Sequence, residues 1–117
     1  MRDPHEESIQ RLRQIEKAIG KIRAYEEGET RESFCYRTML HDAVLMQFVI
    51  AGEAITHIDN DLLEKYDYPW YKVKSFRNLI AHEYFNIKLE AVLTIIENEL
   101  SALEKLIKQI IELESTR

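Results

Sequence analysis

The stretch 89-LEAVLTIIENELSALEKLIKQIIEL-113, near the end of the chain, decides the fold. Its apolar residues recur three and four positions apart, which places their side chains on one face of an α-helix. The alternation of three and four is typical of a seam between helices that pack at a small angle. We therefore predict one long helix here that belongs to a bundle. Its seam consists of Leu93, Ile96, Leu100, Leu103, Ile107 and Ile110.

Similar patterns upstream predict three more long helices. Pro4 is tolerated in a first turn and opens the first helix, and Gly28 stops it. Thr30 or Ser33 can cap the second helix, and Pro69 opens the third. The predicted helices cover about residues 4–27, 30–58, 69–84 and 89–113, with at most a short helix at 62–65.

Composition agrees with a small helical protein. Three glycines and two prolines among 117 residues leave little material for the tight turns of a β-sandwich or barrel. An apolar content of 45% is enough for one hydrophobic core, and the chain is too short for two ordinary domains. We therefore predict an all-α fold with a single domain over residues 1–117. It should be an antiparallel four-helix up-down bundle with one additional short helix.

The cysteine content and the N-terminal segment indicate where the protein works. Cys35 is the only cysteine, so the chain can form neither an internal disulfide nor a zinc site with paired cysteines. The segment Met1–Gln10 is charged and lacks the apolar stretch of a signal peptide. Apolar runs elsewhere fall short of the ~20 residues that span a bilayer. We predict a cytoplasmic protein without membrane association.

The charge distribution limits the ways in which the protein can bind nucleic acid. A formal net charge of −5 argues against an extensive basic surface that coats nucleic acid without specificity. The segment between residues 71 and 90, however, contains four cations and two glutamates, so that its formal charge is 4 − 2 = +2. The cations are Lys72, Lys74, Arg77 and Lys88. Positive charge therefore collects in one segment of an acidic protein.

The middle of the second predicted helix, 43-AVLMQFVIA-51, is apolar on nearly every side except at Gln47. A helix of this kind must be covered all round. The bundle of one chain covers only part of it, and we expect a second subunit to cover the rest. This pattern predicts a homodimer.

The third predicted helix, 69-PWYKVKSFRNLIAHEY-84, has an unusual surface. At about 100° per residue, Val73, Phe76, Ile80 and Tyr84 form one stripe, which we expect to face the core. The opposite side, where a bundle helix normally presents lysine and glutamate, carries uncharged polar residues. This surface indicates a groove or a subunit contact. Its polar residues are Ser75, Asn78 and His82.

Arg77 and His82 lie five residues apart, so their side chains point roughly 140° apart on an ideal helix. A straight helix cannot easily aim both at one atom. Either the helix loosens near His82, or the equivalent residues of a two-fold partner complete each site. We favour the partner, because the segment 43–51 already requires a second surface.

Taken one at a time, these residues have ordinary structural explanations. A histidine on a polar helix face is usually solvated, and an arginine beside an apolar stripe usually buries its stem or forms an ion pair. Taken together, Arg77-Asn78, three residues, His82, one residue and Tyr84 resemble the signature of the HEPN family, in particular its HepT-like branch. The resemblance extends from the first helix to the last through similar groups at 41–44, 52–54, 68–70 and 84–85.

The resemblance implies a metal-independent endoribonuclease without a cofactor, acting as the toxin of a type VII-like toxin–antitoxin pair. Cleavage of RNA needs a base for the 2′-hydroxyl proton and a cation for the charge that builds on the phosphate. Neutral imidazole and guanidinium supply both. By this resemblance His82 is the base or acid, and Arg77 is a clamp whose planar fork suits two phosphate oxygens. Asn78 either bonds the phosphate or orients His82.

The resemblance also implies a role for Tyr84. In HepT-like proteins this tyrosine accepts adenylyl groups from a partner antitoxin, a minimal nucleotidyltransferase of the MntA type. On an ideal helix Tyr84 lies two turns after Arg77 on the same face. An attached nucleotide would place bulk and negative charge near Arg77 and exclude an RNA phosphate.

The remaining polar residues carry weaker expectations. Asp42 and Glu53 are candidates for lining the cleft, although pairing between helices explains them equally well. Gly52 is expected to allow close approach of two helices. We predict no metal site, because the other histidines show no ligand spacing. These are His5, His41 and His57.

Two other functions stay open on the sequence alone. The first is a non-catalytic nucleotide or nucleic-acid binding module that serves a separate nucleotidyltransferase. The second is a purely structural dimerising bundle, which would explain the seam of the last helix but not the uncharged face of the third. The presence of both Arg77 and His82 favours the ribonuclease.

Overall fold

A computed structural model describes residues 3–116, and all regular structure in that range is helical. The all-α prediction is confirmed, and the four long predicted helices appear with two of them divided. The elements are α1 (Pro4–Glu26), α2 (Arg31–Tyr36), α3 (Thr38–Thr56), α4 (Asn60–Glu64), α5 (Trp70–Glu83), a 3₁₀ turn (Tyr84–Asn86), α6 (Leu89–Asn98) and α7 (Leu100–Ser115).

The core lies between α1, α3 and α7, and α5 covers the other side of α3. The seam predicted for the last helix is confirmed, since all six of its residues are buried. The apolar face of α1 meets this seam and is buried to the same degree. Its members are Leu12, Ile15, Ile19 and Ile22.

The second predicted helix is not continuous, because the chain leaves the helical region at Arg37 (φ −85°, ψ 93°). The short helix before this point has its own capping box, formed by Thr30 and Ser33, and its Phe34 is buried. His41 Nδ1 lies 3.0 Å from the Phe34 carbonyl oxygen, which lost its helical partner at the break. The divided helix is stable because burial of Phe34 and this hydrogen bond replace the missing helical bonds.

The last predicted helix bends at Glu99 (φ −121°, ψ −27°) instead of running straight to Leu113. The backbone hydrogen bonds from Glu99 to Ile95 (2.8 Å) and from Leu103 to Glu99 (3.2 Å) persist, so the helix is kinked and not broken. A straight helix drifts away from a seam that repeats every 3.5 residues. The bend keeps the seam buried on both sides of Glu99.

α3 and α5 cross at Gly52, and this contact positions the residues discussed below. A Cβ atom at Gly52 would lie 2.3 Å from Arg77 Cβ and 3.1 Å from the Val73 carbonyl oxygen. Only glycine allows the two helices to approach this closely, as expected from the sequence.

By length and composition alone, α3 would be able to cross a membrane. Half of it is buried inside the bundle, against α1 and α5, which is the ordinary situation of a core helix. Its segment 43–51 is covered only in part: Val44 and Phe48 are buried, whereas Met46 is 54% exposed and Ile50 is 38% exposed.

Candidate functional site

The start of α5 is anchored by Trp70, whose indole Nε1 donates to the Leu63 carbonyl oxygen at 3.0 Å. Further along the helix, Ile80 is buried in the core and fixes the rotation of the helix. The polar residues of the Arg-Asn…His-x-Tyr motif therefore lie in the second half of an anchored helix and in the turn that follows it.

The side chain of Arg77 on α5 is held by a residue of α3. Its Nη2 donates to Glu53 Oε2 at 2.8 Å, and its Nη1 donates to Asn78 Oδ1 at 2.8 Å. Its Nε is buried and has no hydrogen-bond partner among residues 3–116. The two terminal nitrogens each keep a second N–H, and the side chain is 34% exposed. The guanidinium is thus oriented by the protein while part of it stays accessible.

Glu53 contacts two side chains. Besides Arg77 it contacts His57, whose Nε2 lies 3.2 Å from Glu53 Oε1. Its carboxylate is about half exposed, so water screens the pair and an anion can compete for Arg77. Glu53 therefore both neutralises and aims the guanidinium.

His82 lies in the last turn of α5 and is exposed. No hydrogen bond reaches its ring from the part of the chain that the structure describes. The backbone departs from helical values only at Glu83 (φ −130°, ψ 30°), after His82, so the helix does not loosen between Arg77 and His82. The side chains of Arg77 and His82 therefore point about 140° apart around the axis of α5, as expected for an ideal helix. The amide oxygen of Asn78 is bonded to Arg77 and not to His82.

Tyr84 differs from its predicted position. We expected it in the core stripe of the third helix with Ile80, but α5 ends at Glu83 and Tyr84 begins the 3₁₀ turn. It is 37% exposed and packs against Phe85, which is 95% exposed. Its hydroxyl donates to Asp42 Oδ1 on α3. This hydrogen bond to a carboxylate, more than any other contact, raises the pKa of Tyr84.

The two acidic residues on α3 thus hold two different members of the motif. Asp42 and Glu53 are eleven residues apart, which places them on the same face of α3 and about 16 Å apart. The sequence did not show which motif residue each acid would contact. A signal was nevertheless present: the two acids lie three helical turns apart on the mostly apolar α3. Both therefore lie on the face of α3 that meets α5 at Gly52.

The motif lies on open surface. A cavity of about 260 Å³ lies elsewhere, on the face of α5 that carries Val73 and Phe76, and it is lined mostly by apolar side chains. The motif's four residues do not line it. Enclosed cavities suit small molecules, whereas an open surface can accept a polymer.

Other reactive groups do not join the motif. Burial raises the pKa of the Cys35 thiol, which therefore lacks the lowered pKa of a cysteine nucleophile. Over residues 3–116, no three histidine, cysteine or acidic side chains are grouped so that they could hold a metal ion.

Comparison with known proteins identifies relatives of this chain. A protein of Caldanaerobacter subterraneus subsp. tengcongensis named "Putative RNase" is 30% identical over 88 residues, which cover 74% of this chain and 79% of that protein. A protein of Methanocaldococcus jannaschii with the same name is 32% identical over 73 residues, covering 62% and 67% of the two chains. No solved structure matches the chain.

A longer M. jannaschii protein, named "Gamma-glutamylcyclotransferase and putative RNase", is 28% identical over 102 residues. The match covers 86% of this chain but only 46% of that protein, so the chain spans about half of it. The family described as "Ribonuclease HepT-like" matches residues 15–110, which include α3, α5 and the whole motif. The chain therefore belongs to the ribonuclease HepT-like family.

Proposed function

We propose that this protein is a metal-independent endoribonuclease toxin that works in the cytoplasm. The observation that carries the proposal is the environment of Arg77 and His82. Arg77 is fixed against Glu53 with N–H groups still accessible, and His82 stands exposed on the same helix over open surface. A guanidinium can stabilise the charge that builds on a phosphate, and an imidazole can transfer protons at neutral pH, so together they can support phosphodiester cleavage.

In the proposed reaction, His82 accepts the proton of the RNA 2′-hydroxyl. The 2′-oxygen forms a bond to phosphorus, and the bond from phosphorus to the 5′-oxygen breaks. Arg77 donates to the non-bridging oxygens, where negative charge builds in the transition state. Asn78, bonded to Arg77, keeps the guanidinium in place. The leaving oxygen needs a proton, which a second imidazole can deliver when it is protonated.

A homodimer supplies that second imidazole and resolves the angle of about 140° between Arg77 and His82. Support for the dimer comes from apolar side chains that stay exposed on α3 and α5, the two helices that carry the site. They include Met39 (88% exposed), Met46 (54%), Ile50 (38%) and Leu79 (47%). In a two-fold interface over these residues, each Arg77 faces the partner's end of α5.

Regulation is proposed to act through Tyr84. A minimal nucleotidyltransferase antitoxin would transfer adenylyl groups from ATP to the hydroxyl of this residue, which is 37% exposed at the edge of the motif. The structure changes the geometric reason for inhibition, because Tyr84 lies beyond the end of α5. The nucleotide as a whole, and not only its first phosphate, would cover the approach to Arg77.

A second candidate is a non-catalytic module that binds nucleotide or RNA for the nucleotidyltransferase. The angle of about 140° between Arg77 and His82 around α5 favours it, because a single chain does not bring the two groups to one phosphate. The two candidates differ in whether the RNA chain is cut.

Cleavage of a labelled RNA by the purified protein tests the proposal. We expect His82→Ala and Arg77→Ala to abolish cleavage and growth toxicity with little change in helical content, and EDTA to have no effect. Arg13→Ala, at an exposed position on α1, is the matched control and should cleave normally. Cleavage by both motif variants at the wild-type rate would leave the binding module as the better description.

A further inference from the structure

The contact between Asp42 and Tyr84 has chemical consequences for the acceptor hydroxyl. Tyr84 Oη is the atom that the proposed adenylylation would modify, and its proton is already donated to Asp42 Oδ1. The side chains of both residues are partly exposed, so a partner can reach the hydroxyl without unfolding the helix pair.

We propose that Asp42 is the proton acceptor for adenylyl transfer to Tyr84. The inference rests on the proposed regulation and adds a residue to it. The Tyr84 oxygen forms a bond to the α-phosphorus of ATP, the bond from that phosphorus to the pyrophosphate oxygen breaks, and pyrophosphate leaves. The hydroxyl proton passes along the existing hydrogen bond to the Asp42 carboxylate.

Proton transfer to a neighbouring base suits this tyrosine better than prior ionisation. The hydrogen bond to Asp42 favours the neutral phenol, so the free phenolate is scarce at neutral pH. A carboxylate that already holds the proton can receive it as the new bond forms. The same bond also orients the hydroxyl, so that its free lone pairs point away from α3.

The groups around this pair are few in the described structure. On α3, His41 Nε2 lies 3.9 Å from Asp42 Oδ1, and its Nδ1 is occupied by the Phe34 carbonyl oxygen. On the other element, Glu83 is the neighbouring carboxylate, and it accepts from Asn86 at 3.0 Å. Glu83 thus provides a control for a carboxylate that is next to Tyr84 in the chain and does not accept the hydrogen bond of its hydroxyl.

The test measures adenylylation rates by mass spectrometry, with ATP and a purified minimal nucleotidyltransferase of the MntA type. Asp42→Asn can still accept the hydrogen bond but cannot take the proton. We expect its kcat to fall on the order of 10²–10⁴-fold, with little change in KM. The residual rate should rise roughly tenfold per pH unit, because reaction then requires the phenolate.

Two control variants separate proton transfer from positioning. Glu83→Gln makes the same carboxylate-to-amide change nearby and should retain the wild-type rate. Asp42→Glu keeps a carboxylate and should be faster than Asp42→Asn. Equal rates for the two Asp42 variants, or an Asp42→Asn variant with the kcat and pH profile of the wild type, would overturn the role of Asp42 while leaving the proposed regulation intact.

A failure of the proposed regulation would look different. If the wild-type protein gained no adenylyl mass on Tyr84, both the regulation and the role of Asp42 would fall. The hydrogen bond itself can be measured without the partner, by NMR titration of labelled tyrosine. The pKa of Tyr84 should move down toward its ordinary value in Asp42→Asn, and an unchanged titration would remove the basis of the inference.

Discussion

Gly52 is the residue on which the geometry of Arg77 depends most directly. A Cβ atom there would meet Arg77 Cβ at 2.3 Å, a distance that side chains do not adopt. The neighbouring Glu53 then receives Arg77 Nη2 at 2.8 Å. Removal of the close approach at residue 52 would therefore also displace the guanidinium from its acceptor.

Gly52→Ala is expected to destabilise the protein by about 1–3 kcal/mol, as overpacked sites do, and to lower RNA cleavage further than the loss of folded protein explains. Gly20→Ala is the matched control, because nothing lies within 4 Å of the added methyl group in the middle of α1. That variant should gain up to about 1 kcal/mol from helix propensity. Urea unfolding and cleavage rates measure both. Equal behaviour of the two variants would contradict the role of Gly52.

Sequence patterns predict some of the contacts of individual residues, but not all of them. The grouping of Arg77, Asn78, His82 and Tyr84 rests on their resemblance to the HepT-like signature, and a close approach of two helices at Gly52 is expected from the sequence as well. The pairing of Arg77 with Glu53 and of Tyr84 with Asp42 does not follow from the sequence, because it depends on how α3 and α5 cross. A crossing is a three-dimensional relation that a one-dimensional period does not contain.

At the scale of elements, periodicity predicts which residues are buried better than where helices end. The seam of the last helix is buried throughout, as predicted. The bend at Glu99 was not predicted, because no glycine or proline lies near it in the sequence. The break at Arg37 likewise depends on burial of Phe34 and on the hydrogen bond from His41, which are tertiary contacts. The end of α5 is a third boundary that periodicity did not predict. Because the helix ends before Tyr84, this residue lies at the surface and not in the predicted core stripe.

The 3₁₀ turn is held to α3 by the bond between Tyr84 and Asp42, so the stability that this bond adds should depend on pH. Because the pKa of Tyr84 is raised, the folded state holds the proton more tightly than the unfolded state. The stabilisation is then complete below the ordinary tyrosine pKa of about 10 and is lost as the pH rises through the folded value.

We therefore expect the difference in unfolding midpoint between the wild type and Tyr84→Phe to be constant at neutral pH and to shrink above about pH 10. Asp42→Asn, which removes the charge of the acceptor, should reduce the same pH dependence. Thermal unfolding followed by circular dichroism at several alkaline pH values measures the effect. A difference that stays constant over the whole alkaline range would show that the hydroxyl does not dock the turn.

At the scale of the whole molecule, part of the exposed apolar surface lies on the same two helices as the candidate site. Met46 and Ile50 on α3 and Leu79 on α5 are all more than a third exposed. Burying these side chains in a dimer would contribute roughly 25 cal/mol for each Å² removed from water. The same association would bring the second His82 to Arg77, so assembly and catalysis should be lost together.

Ile50→Glu tests this coupling, because it places a charge in the middle of the proposed interface. The wild type should show about twice the 13.9 kDa chain mass in light scattering at low micromolar concentration. The variant should have the mass of a monomer, keep its helical circular dichroism and lose RNA cleavage.

Leu113→Glu is the control for this variant. It adds the same charge at an apolar position that is 49% exposed on α7, away from α3 and α5, and it should remain dimeric and active. A monomeric Ile50→Glu protein that cleaved RNA at the wild-type rate would show that one chain holds the complete site. Arg77 and His82 would then have to act from different sides of a single helix.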